Sequence, residues 1–163
     1  MKQISTPISD EEILSLNVGD QVSISGTMFT GRDAALPQLV ELIKQEKLYF
    51  DIEGSAIMHT AVSDAGIAPT TSNKEEIEST IPFLSEHGVK IHIGKGMLHD
   101  KTIHALNENN SIFVITPPVA ALLTSKVLKK KCVAFENEGM EAMYKLKVKD
   151  IPGIVVVSGG KSI

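Results

Sequence analysis

The sequence predicts an α/β domain, and three observations carry that reading. Short apolar segments alternate along the chain with stretches whose apolar residues recur at helical spacing. The composition, 42% hydrophobic and 22% charged over 163 residues, is that of a globular chain with enough apolar surface for one core. No internal repeat, low-complexity segment or linker divides it, so residues 1–163 are expected to form a single domain.

The elements follow in order. The first twenty residues read as a lead-in, in which Ser9-Asp10-Glu11-Glu12 caps a short helical turn ahead of Ile13 and Leu14. Asn17-Val18-Gly19-Asp20 is a turn. Residues 21–26 alternate and predict a strand with Val22 and Ile24 on one face. Residues 27–32 read as a polar loop. Asp33 then caps a helix over about 34–46, whose Leu36, Leu39, Val40 and Ile43 fit a 3.6-residue period. A second strand is expected over 55–61 and a long loop over 63–72. A helix over 74–86 ends at His87-Gly88, and Pro82 inside it implies a kink or two short helices. Val89-Lys90-Ile91-His92-Ile93 alternates cleanly as a strand, closed by Gly94-Lys95-Gly96. A helix over 100–107 precedes an apolar strand over 112–115. Thr116-Pro117-Pro118 opens a helix over 119–128, since proline suits a first turn. Residues 131–136 are a strand, 138–144 helical, and 154–158 the last strand. Strands alternating with helices are what select the α/β class.

Composition also bounds function. Lys and Arg number 16 against 20 Asp and Glu, a net charge of −4, which argues against nucleic-acid binding by bulk charge. Aromatic residues are 4% with no tryptophan, so base-stacking platforms are not expected. The apolar runs 112–115 and 154–157 fall far short of the ~20 residues that cross a bilayer. No secretory h-region follows Met1, and a single cysteine, Cys132, rules out an intramolecular disulfide, so a reducing, cytoplasmic setting is expected. One cysteine also excludes a zinc or iron–sulfur site of the multi-cysteine kind within this chain. Neither Gly94-Lys95 nor Gly160-Lys161-Ser162 has the glycine a phosphate loop needs five positions before its Gly-Lys pair. The five histidines, at 59, 87, 92, 99 and 104, lack helical metal-site spacing and read as structural, His92 facing solvent or a neighbouring layer. Cys132 reads as a buried small hydrophobe.

Three segments after strands carry chemistry: Ser25–Ala35, Pro69–Lys74 and Ile93–Gly96. They hold the cations Arg32, Lys74 and Lys95, the hydroxyls Thr30, Thr70, Thr71 and Ser72, and glycine-rich backbone. Such a set suits a carboxylate or phosphate, because arginine offers a planar fork, lysine a point charge, and glycine a close backbone approach. Read alone, Gly31-Arg32-Asp33 is equally a turn with a solvated arginine and a capping aspartate.

Taken in order, these pieces resemble a known family. Ser25-Gly26-Thr27 through Arg32-Asp33-Ala34-Ala35, then Pro69-Thr70-Thr71-Ser72, then Ile93-Gly94-Lys95-Gly96 resemble the β subunits of class I fumarase and L(+)-tartrate dehydratase and the C-terminal domain of single-chain class I fumarases. Phe113-Val114-Ile115, the Pro-Pro-Val-Ala-Ala-Leu-Leu run, Glu136–Tyr144 and Pro152–Val157 agree, so the resemblance covers about residues 5–160. It implies a swivelling β/β/α domain, with mixed strands and flanking helices. It implies a hydro-lyase acting on a small hydroxy-dicarboxylate, malate/fumarate or tartrate/oxaloacetate. A partner α subunit is implied to carry a [4Fe–4S] cluster, giving a homo- or hetero-oligomer. By the same resemblance Thr70 is the catalytic residue, acting as base, and Arg32, Thr71, Lys74 and Lys95 bind substrate. A threonine hydroxyl is a poor base unaided, so that role needs activation from the partner. The sequence departs from the family's Thr-Thr-Ser-x-Arg at Lys74, which keeps the charge and loses the bidentate fork. The rival reading is a non-catalytic module on the same fold that binds a carboxylate or another protein.

Overall fold

A computed structural model describes residues 1–64, 66–67, 73–117 and 119–163. In chain order these form β1 (Lys2–Thr6), α1 (Asp10–Leu14), β2 (Gln21–Thr30), α2 (Leu36–Lys44), β3 (Ser55–Met58), α3 (Lys74–Glu86), β4 (Val89–Gly94), α4 (Asp100–Glu108), β5 (Ile112–Ile115), α5 (Ala120–Ser125), β6 (Val127–Ala134), a 3-10 segment (Glu136–Glu141), β7 (Met143–Ser158) and β8 (Lys161–Ser162). The α/β reading therefore holds: one mixed sheet with helices against it.

The long strands β2 and β7 organise the sheet. They run antiparallel, Gln21 opposite Ile154 at one end and Phe29 opposite Lys145 at the other. On its other edge β2 takes β1 and then β3, both parallel. β3, β4 and β5 continue in parallel, and β5 returns antiparallel onto β7. The ring β2-β3-β4-β5-β7 thus closes on itself, leaving β1 and β6 on its outside edges. Closure removes the free edges that these apolar strands would otherwise expose.

Alternation explains the two layers of core. Val22, Ile24 and Met28 of β2, Ala56 and Met58 of β3, Ile91 and Ile93 of β4, Ile112 and Val114 of β5 and Leu146, Val148, Ile151 and Val155 of β7 share one buried cluster inside the ring. The intervening side chains face outward under the helices. Phe29 and Ile57 meet Leu36 and Leu39 of α2 and Ile77 and Leu84 of α3. Phe113 and Val157 meet Ile81 of α3 and Leu106 of α4. Every residue of β4 is buried, as expected of a parallel strand covered on both faces. His92 belongs to the outer set and faces α3 rather than solvent, with its Nε2 2.8 Å from the Ser85 hydroxyl.

Several boundaries differ from the sequence expectation, each for a physical reason. Residues 2–6, read as lead-in, are β1, a strand whose hydrogen bonds come from the β2 edge and whose own apolar content is little more than Ile4. β2 runs through residues 27–30, read as loop, because β3 and β7 pair with it there. Proline at 82 leaves α3 a single helix, since Ile77, Ile81 and Leu84 on either side of it are packed on the sheet. α5 stops at Ser125, and residues 127–134 pair with β7 as β6. β7 runs over all of Met143–Ser158, where the sequence predicts a helical segment to 144 and strand only over 154–158. Its Lys145, Lys147 and Lys149 are exposed while Leu146 and Val148 are buried, a period-2 pattern readable in the sequence. At Asp150 the backbone turns to φ 59° and the β2–β7 register shifts. Ser25 Oγ accepts the Asp150 N–H at 2.9 Å, and Ser23 Oγ donates to its carboxylate at 3.2 Å, which pins the bulge.

Candidate functional site

Register decides where the candidate residues lie. Thr30 pairs with Met58, and Met58 with Ile93, so β2, β3 and β4 end level and point the same way. The residues that follow, Gly31-Arg32, His59-Thr60 and Gly94-Lys95, emerge on one rim of the ring. Ligand groups collect at such carboxyl ends of parallel strands. A separate depression lined by Ile13, Leu16, Asn107 and Ser158 sits at the opposite end, near the starts of β2 and β5, away from these cations.

Arg32 sits in a short rigid turn. Gly31 N–H donates to Met58 O at 3.1 Å, and Leu36 N–H donates to Arg32 O at 2.9 Å. A Cβ on residue 31 would fall 2.8 Å from Leu36 Cδ2, so glycine keeps this turn close to α2. The guanidinium meets Glu141 side-on: Nε donates to Oε1 at 3.1 Å and Nη2 donates to Oε2. Both side chains are about one-fifth exposed. The sequence singled out Arg32 and missed its partner, 109 residues away.

Lys74 opens α3, where the Asn73 side chain caps by accepting the Glu76 N–H at 3.3 Å. Its ammonium donates to the Met97 carbonyl, in the loop that follows β4. Gly96 in that loop has φ 80°, and a Cβ there would lie 3.1 Å from Lys74 Cε. Lys95 is exposed and among the described residues makes no hydrogen bond or ion pair. Lys74 and Lys95 line one shallow depression together with His59, Glu78, Leu98 and Phe113. The loop holding Thr70 and Thr71, with the rest of 68–72, lies outside the described residues.

Two buried polar groups floor this depression. His59 N–H donates to Ile93 O at 2.8 Å, but its Nε2 has no partner among the described residues. Burial pushes the His59 imidazole down to about 4, so it is neutral at neutral pH. A Cβ on Gly94 would fall 2.6 Å from its Nδ1, which is the steric reason for glycine there. Glu78 caps α4, its Oε2 accepting from His99 N at 2.8 Å and Thr102 Oγ1 at 2.7 Å, while Oε1 has no partner among the described residues. His59 and Glu78 carried no signal in the sequence, since a histidine at a strand end and a mid-helix glutamate are common surface residues.

The match to known proteins covers this whole arrangement. The family model described as Fumarase C-terminus matches residues 2–163. The chain belongs to the fumarase C-terminus family. It is 29% identical over 166 residues to the L(+)-tartrate dehydratase subunit beta of Escherichia coli (strain K12), covering 95% of this chain and 81% of that one. It is 30% identical over 179 residues to the putative L(+)-tartrate dehydratase subunit beta of Methanocaldococcus jannaschii, covering 100% of this chain and 91% of that one. It is 28% identical over 153 residues to the anaerobic class I fumarate hydratase of Escherichia coli (strain K12), covering 86% of this chain and 27% of that protein. Among the described residues of this family member, no group of three or more His, Cys, Asp and Glu is gathered to hold a metal ion. No helix of the described residues is long and apolar enough to cross a membrane.

Proposed function

We propose that this chain is the β subunit of a cytoplasmic hydro-lyase that reversibly removes water from a small hydroxy-dicarboxylate, malate/fumarate or tartrate/oxaloacetate. In this reading residues 1–163 are one swivelling β/β/α domain that docks on an α subunit. The observation that supports it is the level ending of β2, β3 and β4, which brings Arg32 and Lys95 to one rim, with Lys74 tied to the same loop.

The chemistry asks for such a rim. Taking a proton from the carbon beside a carboxylate builds negative charge on that carboxylate. Fixed cations stabilise that charge more than the ground state, which lowers the barrier. Arg32, Lys74 and Lys95 supply the cations, Thr71 a hydrogen bond, and Thr70 the oxygen that takes the substrate proton, its own hydroxyl proton having passed to an activating group of the partner. Lysine at 74 gives a point charge with freedom to turn, where an arginine would impose a planar fork.

The donors of this chain do not fit a [4Fe–4S] cluster. Its one thiol, Cys132, is half-buried on β6 with Ala134 O 3.7 Å away, and such a cluster is held by several thiolates. In this reading the cluster therefore belongs to the α subunit, where it supplies Lewis-acid chemistry toward the leaving hydroxyl.

The test is to purify the native complex, analyse it for iron and sulfide, and assay it with L-tartrate and L-malate beside the isolated chain. Turnover by the complex and none by the isolated chain is expected. Turnover by the isolated chain, or an iron-loaded complex inactive on both substrates, refutes the reading.

A further inference from the structure

We propose that the exposed face of β6 and β7 is a lysine-lined docking surface, and that its occupant is a carboxylate-rich surface of the partner α subunit. The inference rests on the reading of this chain as a β subunit and adds where, and by what chemistry, it docks.

Strand register builds the face. β6 and β7 run antiparallel, with Lys129 opposite Lys147 and Lys131 opposite Lys145. Residues opposite each other in such a ladder point to the same side. Leu146 and Val148, which alternate with them, are buried inside the ring, so these lysines share its outside. Lys149 extends the row, its N–H donating to Lys126 O at 2.9 Å. Lys129, Lys131, Lys145, Lys147 and Lys149 are all exposed, and so is Lys130 on the outside edge strand. Among the described residues none of the six makes an ion pair. Asp51 and Glu53 share a depression with Lys145 but do not pair with it.

Such a row works against the fold. Like charges directly opposite on adjacent strands destabilise a sheet. Lysine on an edge strand guards against edge-to-edge pairing, which accounts for β6. It does not account for β7, which is paired on one side with β2 and on the other with β6. The chain as a whole carries a net charge of −4, so a face of one positive sign stands apart from the rest of its surface. A face of that kind steers and holds a surface of the opposite sign.

Position and residue type select the occupant. Lys145 pairs with Phe29, one residue before β2 ends at Thr30, so the row starts at the rim that carries Arg32. A subunit that covers the rim reaches the row without a break. The six cations are all lysine, point charges that suit scattered carboxylates. A nucleic acid would instead meet a net negative chain, without the arginine forks and stacked rings that usually hold one.

The experiment uses the native complex, its partner identified by mass spectrometry, and the full chain alone. Lys147→Glu places a carboxylate opposite Lys129 and between Lys145 and Lys149. In the isolated chain it is expected to hold or raise Tm, by up to ~4 °C, since like-charge neighbours become opposite ones. In the complex it is expected to raise the Kd for the α subunit at least ~10-fold at low salt, because a carboxylate now faces carboxylates. Lys131→Glu should act the same way, and Lys47→Glu, after α2, should leave Kd unchanged. The Kd of the unsubstituted complex should rise at least ~10-fold from ~0.05 to ~0.5 M NaCl. An unchanged Kd in both variants, or assembly indifferent to salt, overturns the proposal. Weaker docking with a lowered Tm marks damage to the sheet and overturns it, as does a full chain that purifies without a partner. Self-association of the isolated chain that Lys147→Glu abolishes assigns the face to a second copy, and salt-sensitive binding of duplex DNA assigns it to nucleic acid; either overturns it. Turnover of L-tartrate and L-malate is read separately: a complex that docks as expected and turns over neither refutes the hydro-lyase reading alone.

Discussion

Acidification should unfold this protein from the pH of ordinary histidine titration downward, because two imidazoles are buried neutral. His59 is pushed down to about 4 by burial alone. His92 is pushed down to about 3, by burial first and by its neighbour His59 second, the rings lying 6.3 Å apart. Below pH ~6.5 the unfolded chain binds a proton at each site that the folded chain refuses. A folded pKa below the unfolded one gives stability that is complete above ~6.5 and is lost as pH falls toward the folded values. Each site contributes up to ~1.4 kcal/mol per pH unit in that window, so the pair costs roughly 2 to 3 kcal/mol between pH 6 and pH 5. Against a typical total of about 5–15 kcal/mol, that is a large fraction. Asp10, held low first by its hydrogen bond from Lys90, and Asp20, held low first by that from Lys2, act in the same direction but only near the carboxylate range. His99, raised first by its hydrogen bond to Glu75, has the opposite sign: its contribution is full at low pH and fades as pH rises through its folded value. Urea unfolding followed by circular dichroism at pH 7, 6 and 5 reads the slope directly. His92→Leu should lower stability at pH 7, by leaving Ser85 Oγ unpartnered, and roughly halve the slope. A loss below ~0.5 kcal/mol between pH 6 and 5, or a slope untouched by His92→Leu, refutes the reasoning.

Gly94→Ala should destabilise by about 1–3 kcal/mol, since its methyl would meet His59 Nδ1 at 2.6 Å and Phe113 Cζ at 3.1 Å in a fully packed region. A thermal melt showing an unchanged Tm would mean that the imidazole is free to move aside. Arg32→Ala is expected to lower kcat/KM of the complex at least ~10-fold, and Arg32→Lys to restore little, because the ammonium cannot pair side-on with Glu141. Kinetics equal to the unsubstituted complex in either variant would remove Arg32 from the site.

Local pattern and tertiary contact divided the work unevenly. The α/β class, the helix over 74–86 and the strands at 89 and 112 were legible because period and turn chemistry are local properties. The sequence also offers Arg32, Lys74 and Lys95 as candidates, because their segments hold residue types that suit an anion. β1 was not legible, since residues 2–6 become a strand only against β2. β7 was half-missed, although Lys145-Leu146-Lys147-Val148-Lys149 alternates, because the run sits beside a stretch read as helical. The sequence by itself determined which residues could serve an anion and which stretches could be strand or helix, through side-chain chemistry and spacing. Only the tertiary structure decided that β2, β3 and β4 end level, that the sheet closes through β7, and that Glu141 faces Arg32. Those are agreements between segments a hundred residues apart, and they arise from closing a ring around one apolar core, a constraint that no local window of sequence contains.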